Sequence, residues 1–163
     1  MKSRYDERDD LVFALQEPQL GTGHALMTAV PHLCAGDPHT LVCLGDVPLL
    51  SKKTIAAMRE ECGMNDLVLL TVKLDNPKGY GRIVRDEFGR VTSIVEEKDA
   101  TAEEKLIREV NTGIMVLPTA KLEAWLSALT NTNAQGEYYL TDVIGLAAGE
   151  GSRIATVHPE NVY

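Results

Sequence analysis

Apolar runs of strand length alternate with segments of helical spacing along most of the chain. Two of these runs, Thr40 to Leu44 and Leu67 to Leu74, are apolar apart from Thr40, Thr71 and Lys73. Continuous apolar strands separated by helices indicate a mostly parallel sheet that is covered on both faces. Leu11 to Leu15 and Arg153 to Val157 predict two further strands. The pattern therefore predicts an α/β fold with three layers.

Capping residues and apolar spacing predict the helices. A helix over Thr22 to Val30 is closed by Pro31, which cannot continue it. Ser51 is a suitable N-cap for the next helix. A later helix begins at Pro118-Thr119 and carries a predicted core-facing stripe of apolar residues, namely Leu122, Trp125, Leu126 and Leu129. The other predicted helices are Thr101 to Arg108 and Tyr139 to Gly149.

The pattern changes after Asn76-Pro77. Arg82 to Arg85 and Arg90 to Glu96 flank the sequence DEFG, which predicts a β-hairpin with Gly89 in its turn. The apolar strand Val110 to Leu117 follows. The hairpin is therefore expected to be an insertion into the α/β fold.

Composition limits the kind of protein this is. The 163 residues suit one domain spanning residues 1–163. Lys and Arg number 16 against 24 Asp and Glu, and no basic block is present, so we expect no nucleic acid and no membrane as partner. No apolar run approaches the roughly 18 residues of a membrane span, and the charged start lacks the apolar core of an export signal. Three cysteines without CxxC spacing favour a reducing, cytoplasmic location.

Ligands of open α/β sheets bind outside the carboxyl ends of the strands, so polar residues at those ends are candidates for chemistry. Asp46 follows a buried strand, with Gly45 before it. A carboxylate there suits Mg²⁺ bound to phosphate oxygens, although a helix cap or a turn explains it equally well. No GxSxG, HExxH or Walker motif is present, which argues against a hydrolytic nucleophile.

Other strand ends carry weaker signals. Gly79-Tyr80-Gly81 follows the strongest strand, Glu96 ends the hairpin and Asn111 opens the following strand. Such side chains hydrogen-bond sugar hydroxyls or amides, but each one alone also fits a solvated turn. The stretch LQEPQLGTGHA, residues 15–25, fits a phosphate cradle, a reader of another group, or a simple turn.

Taken together and in order, six motifs resemble the uridylyltransferase domains of bacterial bifunctional enzymes that make UDP-N-acetylglucosamine. They are LQEPQLGTGHA, LGDVPLL, DNPKGYGRIV, IVEEKDAT, EVNTGI and NAQGEYYLTDV. The resemblance runs from about Leu11 to the C-terminus. NTNAQGEYYLTD and KGYGRI are the specific motifs, whereas LGTGHA and the Gly-Asp pair are shared with a wider family of sugar-nucleotide pyrophosphorylases. The implied fold is a Rossmann-like nucleotide-diphospho-sugar transferase domain.

The resemblance implies a reaction in which UTP and N-acetylglucosamine 1-phosphate give UDP-N-acetylglucosamine and pyrophosphate. The sugar phosphate attacks the α-phosphorus in line, with Mg²⁺ as cofactor and no covalent enzyme intermediate. The implied contacts to uracil are Gln16, Gly21 and Thr22. Those at the reaction centre are Leu44, Gly45 and Asp46, of which Asp46 is the catalytic metal ligand. Those to the sugar are Gly81, Glu96 and Asn111, with Tyr139 and Thr141 nearby.

The sequence departs from the family pattern in several places. Family members often have Tyr where this chain has Leu44. Their glycine-rich triphosphate loop of the type LAAGxGTRM and its lysine do not precede Leu11, and neither a second metal ligand nor an acetyltransferase half is found before Tyr163. We therefore expect a partial domain that lacks the first strand, with sheet edges open to self-association.

Two alternatives remain at this point. One is a non-catalytic sugar-nucleotide-binding or interaction fragment. The other is a related pyrophosphorylase that uses a different sugar.

Overall fold

A computed structural model describes residues 10–34, 36–46 and 50–159 of the protein. The described chain forms four α-helices: α1 (Thr22–Ala29), α2 (Lys52–Glu61), α3 (Thr119–Ser127) and α4 (Asp142–Gly149). It forms six strands: β1 (His39–Val42), β2 (Leu67–Lys73), β3 (Arg82–Arg85), β4 (Val91–Val95), β5 (Glu109–Pro118) and β6 (Ile154–Val157). No helix in these ranges is long and apolar enough to cross a membrane.

The six strands form one sheet with β5 at its centre. The order is β4-β3-β5-β2-β6, and β1 also pairs with β5. On one edge of β5, Val110 and Val116 lie opposite Val72 and Val68 of β2. On the other edge, Val110 lies opposite Arg82 of β3 and Val116 opposite Leu41 of β1. The start of β5 is therefore held between β2 and β3, and its end between β2 and β1.

The sheet is mixed, which refines the expectation of a mostly parallel sheet. β1, β2, β3 and β6 point in one direction, so most strands do share a direction. Direct neighbours differ, because β5 runs the opposite way between them. Among the strands of the described ranges, the β2–β6 ladder alone is parallel, whereas the other four ladders are antiparallel. An apolar run carries no information on strand direction, so the pattern alone did not reveal this.

Helices cover both faces of the sheet, which confirms the three layers. Leu69 and Met115 belong to the core on the face covered by α1, α3 and α4. Val68 and Ile114 face the other way and share a core with Met58 of α2. The predicted α3 stripe is buried, with exposed fractions of 0%, 2%, 2% and 7% for Leu122, Trp125, Leu126 and Leu129.

The predicted hairpin and most predicted helices are confirmed. β3 and β4 pair antiparallel, and Gly89 lies in the turn with φ 80°. Ser51 caps α2 by accepting a hydrogen bond from the Thr54 amide at 3.0 Å. The helix expected from Tyr139 begins at Asp142, because the Leu140 amide donates instead to Thr22 Oγ1 at 3.1 Å.

Two predicted elements are wrong. Leu11 to Leu15 forms no strand and is exposed, with 64% of Val12 and 79% of Leu15 accessible. A short apolar run predicts a strand only if a partner edge receives it, and none among the described strands does. The helix expected over residues 101–108 is reduced to a 3-10 turn, Glu104–Leu106. Thr101 and Glu104 cap each other, but Leu106 is 79% exposed, so no packed apolar face extends the turn.

A buried carboxylate links three strands. Arg85 of β3 donates two hydrogen bonds to Glu109 of β5, from Nε at 3.0 Å and from Nη2 at 2.7 Å. Thr71 of β2 donates a third at 2.9 Å, and Glu109 is only 9% exposed. Burial by itself would raise the pKa of Glu109, but the hydrogen bonds from Arg85 and Thr71 outweigh it and hold the pKa below its ordinary value.

This geometry predicts a pH-dependent contribution to stability. Glu109→Gln is expected to lower the free energy of unfolding by about 1–2 kcal/mol at pH 7, because it removes charge-assisted hydrogen bonds. The pKa of Glu109 is lower in the folded state than its unfolded value of about 4.3, so this stability is present above that value and is lost as pH falls through the folded pKa. Urea denaturation from pH 7 down to acid should show the difference between wild type and variant shrinking.

The exposed Glu123 on α3 provides the control, since Glu123→Gln should leave stability nearly unchanged at each pH. A wild-type-to-Glu109→Gln difference that stays constant over the acid range would contradict the role assigned to the carboxylate.

Candidate functional site

The glycine-containing stretch at residues 20–23 is docked against residues 138–140. The Gly23 amide donates to the Tyr138 carbonyl oxygen at 2.8 Å, and the Tyr138 amide donates to the Leu20 carbonyl oxygen at 2.8 Å. Two motifs separated by more than a hundred residues, LGTGHA and EYYLTD, thus share one backbone hydrogen-bonded segment.

The glycines are required by this close approach. Gly21 has φ 105°, and a Cβ there would lie 2.7 Å from the Tyr138 carbonyl oxygen. A Cβ on Gly23 would lie 2.6 Å from Leu129 Cδ1 and 2.9 Å from the same oxygen. Because the Gly23 amide at the start of α1 is already used, less of this helix end is available to an anion. The geometry favours a docked loop that recognises another group over a phosphate-binding loop. We call residues 20–23 the reading loop.

Gln16 folds back onto this loop. Its Nε2 donates to the Gly21 carbonyl oxygen at 2.9 Å and lies 3.1 Å from His24 Nδ1, which accepts if the ring proton is on Nε2. Both amide hydrogens of Gln16 are then used within the protein. The side-chain oxygen Oε1 is the group left to receive a donor from a ligand. The sequence did not predict this polar contact between Gln16 and His24.

A second group gathers four predicted residues from four elements. The Asn111 amide donates to the Gly81 carbonyl oxygen at 2.9 Å. A Cβ on Gly81 would lie 3.3 Å from each carboxylate oxygen of Glu96, so that carboxylate rests directly over the glycine. Thr141 Oγ1 donates to Glu96 Oε1 at 2.9 Å. The start of β3, the end of β4, the start of β5 and the N-cap of α4 therefore meet here.

Negative charge is concentrated around this group. Tyr139 is 6% exposed, and its hydroxyl makes no well-formed hydrogen bond within the described ranges. Burial raises the pKa of Tyr139, and the carboxylates of Asp99 and Glu96 act in the same direction. Burial, followed by repulsion from Glu96 and Asp99, also raises the pKa of Asp142. Such a surface accepts hydrogen bonds from hydroxyls and repels phosphate, so it suits a neutral polyol.

The third group follows β1. A β-bulge in β5 places Gly113 at φ 78°, and a Cβ there would lie 2.8 Å from Leu44 Cγ. The Gly113 amide donates to Asn111 Oδ1 at 3.1 Å, so Leu44 is brought beside the second group. β1 ends at Val42 rather than at Leu44 as expected. Gly45 and Asp46 form an exposed turn, and residues 47–49 lie outside the described residues.

No cluster of three or more His, Cys, Asp or Glu side chains suited to a metal occurs among the described residues. Asp46 offers one exposed carboxylate. That donor set fits Mg²⁺, which binds through one or two carboxylates and takes its remaining ligands from substrate phosphates and water. It does not fit an ion that needs a complete protein cage.

Described residues of the three groups follow one another in space. Gln16 bonds Gly21, and Gly21 lies against Tyr138. Thr141, close by in the chain, bonds Glu96, and Gly81, Asn111 and Gly113 link Glu96 to Leu44. Residues predicted from six separate motifs thus form one continuous surface. It runs past the end of β1, the start of β3 and the end of β4, beside residues 111–113 of β5.

The fold agrees with that of the proteins to which this chain is similar. A protein-family model described as nucleotidyl transferase matches residues 3–161. The chain belongs to the nucleotidyl transferase family. It is 58% identical over 153 residues to the bifunctional protein GlmU of Azoarcus sp. strain BH72, covering 94% of this chain and 34% of that protein. It is 56% identical over 151 residues to the bifunctional protein GlmU of Aromatoleum aromaticum, covering 93% of this chain and 33% of that protein. The chain therefore spans about a third of the length of these curated relatives.

Solved structures show the same fold at low identity. A UDP-glucose pyrophosphorylase complexed with UDP-glucose matches with a TM-score of 0.63 at 18% identity, over 86% of this chain and 55% of that one. An apo UDP-glucose pyrophosphorylase matches with a TM-score of 0.66 at 17% identity, over 94% and 57%. The Rossmann-like nucleotidyl transferase fold expected from the sequence is confirmed.

Sequence reasoning missed the residues that hold the candidate site together. They are His24 and Tyr138 beside the reading loop and the ion pair Arg82–Glu97 beside Gly81. The signal for the ion pair was present, because an arginine in an apolar hairpin strand needs a carboxylate partner if it is buried. Two consecutive glutamates on the other hairpin strand were the obvious source.

Docking of the reading loop predicts opposite effects for two glycine substitutions in helices. Gly23→Ala should lower the free energy of unfolding by about 1–3 kcal/mol, because its Cβ meets backbone that cannot move aside. Gly145→Ala in α4, where nothing lies within 4 Å of the added Cβ, should raise it by about 0.5–1 kcal/mol. Thermal unfolding of both variants provides the comparison, and equal effects would contradict the docking.

Proposed function

We propose that the chain is a uridylyltransferase-type domain that converts UTP and N-acetylglucosamine 1-phosphate to UDP-N-acetylglucosamine and pyrophosphate. The proposal rests on the sequence resemblance and on identity above 50% to several proteins named GlmU. The observation that carries it is the continuous surface from Gln16 through Thr141, Glu96 and Asn111 to Leu44. A docked loop, an acidic hydroxyl-accepting group and an exposed carboxylate occur on it, and these groups suit the base, the sugar and the metal-bound phosphates of a nucleotide sugar.

The base is assigned to the reading loop. Gln16 Oε1 can accept the imide N–H of uracil, since the Gln16 amide nitrogen is used within the protein. Backbone groups of Gly21 and Thr22 complete the recognition of the base edge. Cytosine lacks that N–H at neutral pH and would leave Gln16 Oε1 unpaired, which disfavours it.

The sugar is assigned to the acidic group. Glu96, held by Thr141 Oγ1, accepts from sugar hydroxyls, and Asn111 and the Gly81 backbone bind on the other side. Tyr139 contributes a buried phenol next to the same carboxylate. The sugar ring is neutral, so the negative charge of this group favours that end of the substrate over a phosphate end.

The phosphates are assigned to the turn Leu44-Gly45-Asp46. Asp46 would hold Mg²⁺, which offsets the charge of phosphate oxygens when it is bound. Gly45 lets phosphate approach the backbone closely. The sugar phosphate oxygen then attacks the α-phosphorus and pyrophosphate leaves from the opposite side, so the protein contributes positioning rather than a covalent intermediate.

Substrate binding tests the proposal. We expect calorimetry to show that UDP-N-acetylglucosamine binds more tightly than UDP. Glu96→Ala should weaken UDP-N-acetylglucosamine binding about tenfold or more, because a charged hydrogen bond contributes about 1.5–3 kcal/mol, and should leave UDP binding unchanged. Glu123→Ala on the far helix α3 is the matched control.

The alternatives give different results. Pyrophosphate release from UTP, N-acetylglucosamine 1-phosphate and Mg²⁺, abolished in Asp46→Ala, supports the transferase. Binding without turnover supports a sugar-nucleotide-binding fragment. Tighter binding of UDP-glucose than of UDP-N-acetylglucosamine supports a pyrophosphorylase of another sugar. If none of UDP-N-acetylglucosamine, UDP and UDP-glucose binds at millimolar concentration, the proposed function is overturned.

We also propose a cytoplasmic location, where these substrates are made.

We further propose self-association through β1. Within the described ranges β1 pairs only with β5, so its outer edge presents unpaired backbone groups beside the 41% exposed Leu41. Sedimentation analysis at rising concentration should show reversible dimers, weakened in Leu41→Lys. A monomer at all concentrations would remove this part of the proposal.

A further inference from the structure

The loop of residues 77–81 joins β2 to β3 and carries Gly81, one of the proposed sugar contacts. Gly79 has φ 90°, and Tyr80 is 47% exposed, so the loop has little apolar packing of its own. A loop of this kind moves readily unless other groups hold it. The position of the Gly81 backbone therefore depends on contacts made from outside the loop.

Arg82 supplies such contacts from beneath the loop. It is 1% exposed, at the first position of β3. Its Nη1 donates to the Tyr80 carbonyl oxygen, and its Nη2 donates to Glu97 Oε2 at 2.6 Å. The same Glu97 oxygen accepts from the Gly79 amide at 3.2 Å. The ion pair thus holds the loop at two backbone groups, the Tyr80 carbonyl oxygen and the Gly79 amide.

The two neighbouring glutamates at the end of β4 have different partners. Glu96 bonds Thr141 and rests over Gly81, whereas Glu97 turns to Arg82 and Gly79. The hydrogen bond from Arg82 is the main reason that the pKa of Glu97 lies below its ordinary value. Glu97 therefore stays ionised under the conditions in which a ligand would bind. Arg82 and Glu97 connect the loop to the strand end that carries Glu96.

This ion pair is a weak source of stability, because desolvation of the buried Arg82 offsets much of the Coulomb attraction and the side chain of Glu97 is 27% exposed. Arg82 even leaves its buried Nε without a hydrogen-bond partner in the described part of the chain. An apolar residue at this position would avoid that cost but could not reach the Tyr80 carbonyl. The ion pair is better explained by the geometry that it imposes than by stability.

We propose that Arg82 and Glu97 are positioning residues that set the Gly81 backbone relative to the Glu96 carboxylate and thereby determine affinity for the sugar part of a nucleotide sugar. Neither side chain needs to touch the ligand. The inference rests on the proposed function for the identity of the ligand, whereas the hold on the loop rests on the contacts alone.

Arg85 provides a matched control. It lies on the same strand and pairs with Glu109 at 2.7 Å. This pair joins β3 to β5, and within the described residues Glu109 makes no hydrogen bond to the 77–81 loop. Arg85→Lys should disturb an ion pair of β3 without disturbing the loop. Arg82→Lys keeps the charge but loses the planar fork that reaches the Tyr80 carbonyl and Glu97 together.

Calorimetry with UDP-N-acetylglucosamine and UDP tests the effect on the ligand. Arg82→Lys and the milder Glu97→Gln should weaken UDP-N-acetylglucosamine binding about tenfold while UDP binding stays within about twofold of wild type. Arg85→Lys should preserve the ratio of the two affinities. If the chain turns over, KM for the sugar phosphate should rise in both loop variants while KM for UTP does not. Equal weakening of both ligands, or an unchanged ratio in both loop variants, would overturn the inference.

Amide hydrogen exchange tests the hold on the loop without any ligand. Glu97→Gln should speed exchange of the Gly79 amide and of the Asn111 amide, which bonds the Gly81 carbonyl, whereas Arg85→Lys should speed neither. Unchanged exchange in Glu97→Gln contradicts the positioning role whatever the ligand result. If wild type binds UDP-N-acetylglucosamine no better than UDP, the proposed function fails and the ligand assignment fails with it. Faster exchange in Glu97→Gln then still supports the hold on the loop.

Discussion

β5 forms hydrogen bonds along both of its edges, with β2 on one side and with β3 and β1 on the other. This pairing brings the start of β3 and the end of β1 to the same strand. The Asn111 amide reaches Gly81 near one end, and the bulge at Gly113 receives Leu44 a few residues later. A change in β5 register would move Gly81 and Leu44 of the candidate site together.

Close backbone contact, rather than side-chain chemistry, assembles most of the site. Gly21, Gly23, Gly81 and Gly113 each face a neighbour that an added Cβ would meet within about 3 Å. Three of these contacts join segments distant in sequence, so the glycine motifs are docking points between elements. Their presence explains why motifs that separately resemble ordinary turns form a continuous surface.

Two arginines on β3 illustrate how similar ion pairs differ in effect. Arg85 and Glu109 connect strands within the sheet, where the geometry is already set by the backbone ladder. Arg82 and Glu97 connect the sheet to a loop that has no ladder of its own. The same chemistry therefore joins strands in one place and holds a loop in the other.

Local patterns in the sequence determined the hairpin, the buried α3 stripe, the capped α2 and the positions of β2, β5 and β6, because periodicity and capping act over a few residues. Motif resemblance identified the family and suggested the candidate site residues. Tertiary structure alone decided that 11–15 is not a strand, that β5 separates the parallel strands, and that Gly23 meets Tyr138. It alone revealed the partners of Arg82 and His24. Each of these depends on which edge or side chain a segment meets across the chain, and short-range pattern carries no record of that.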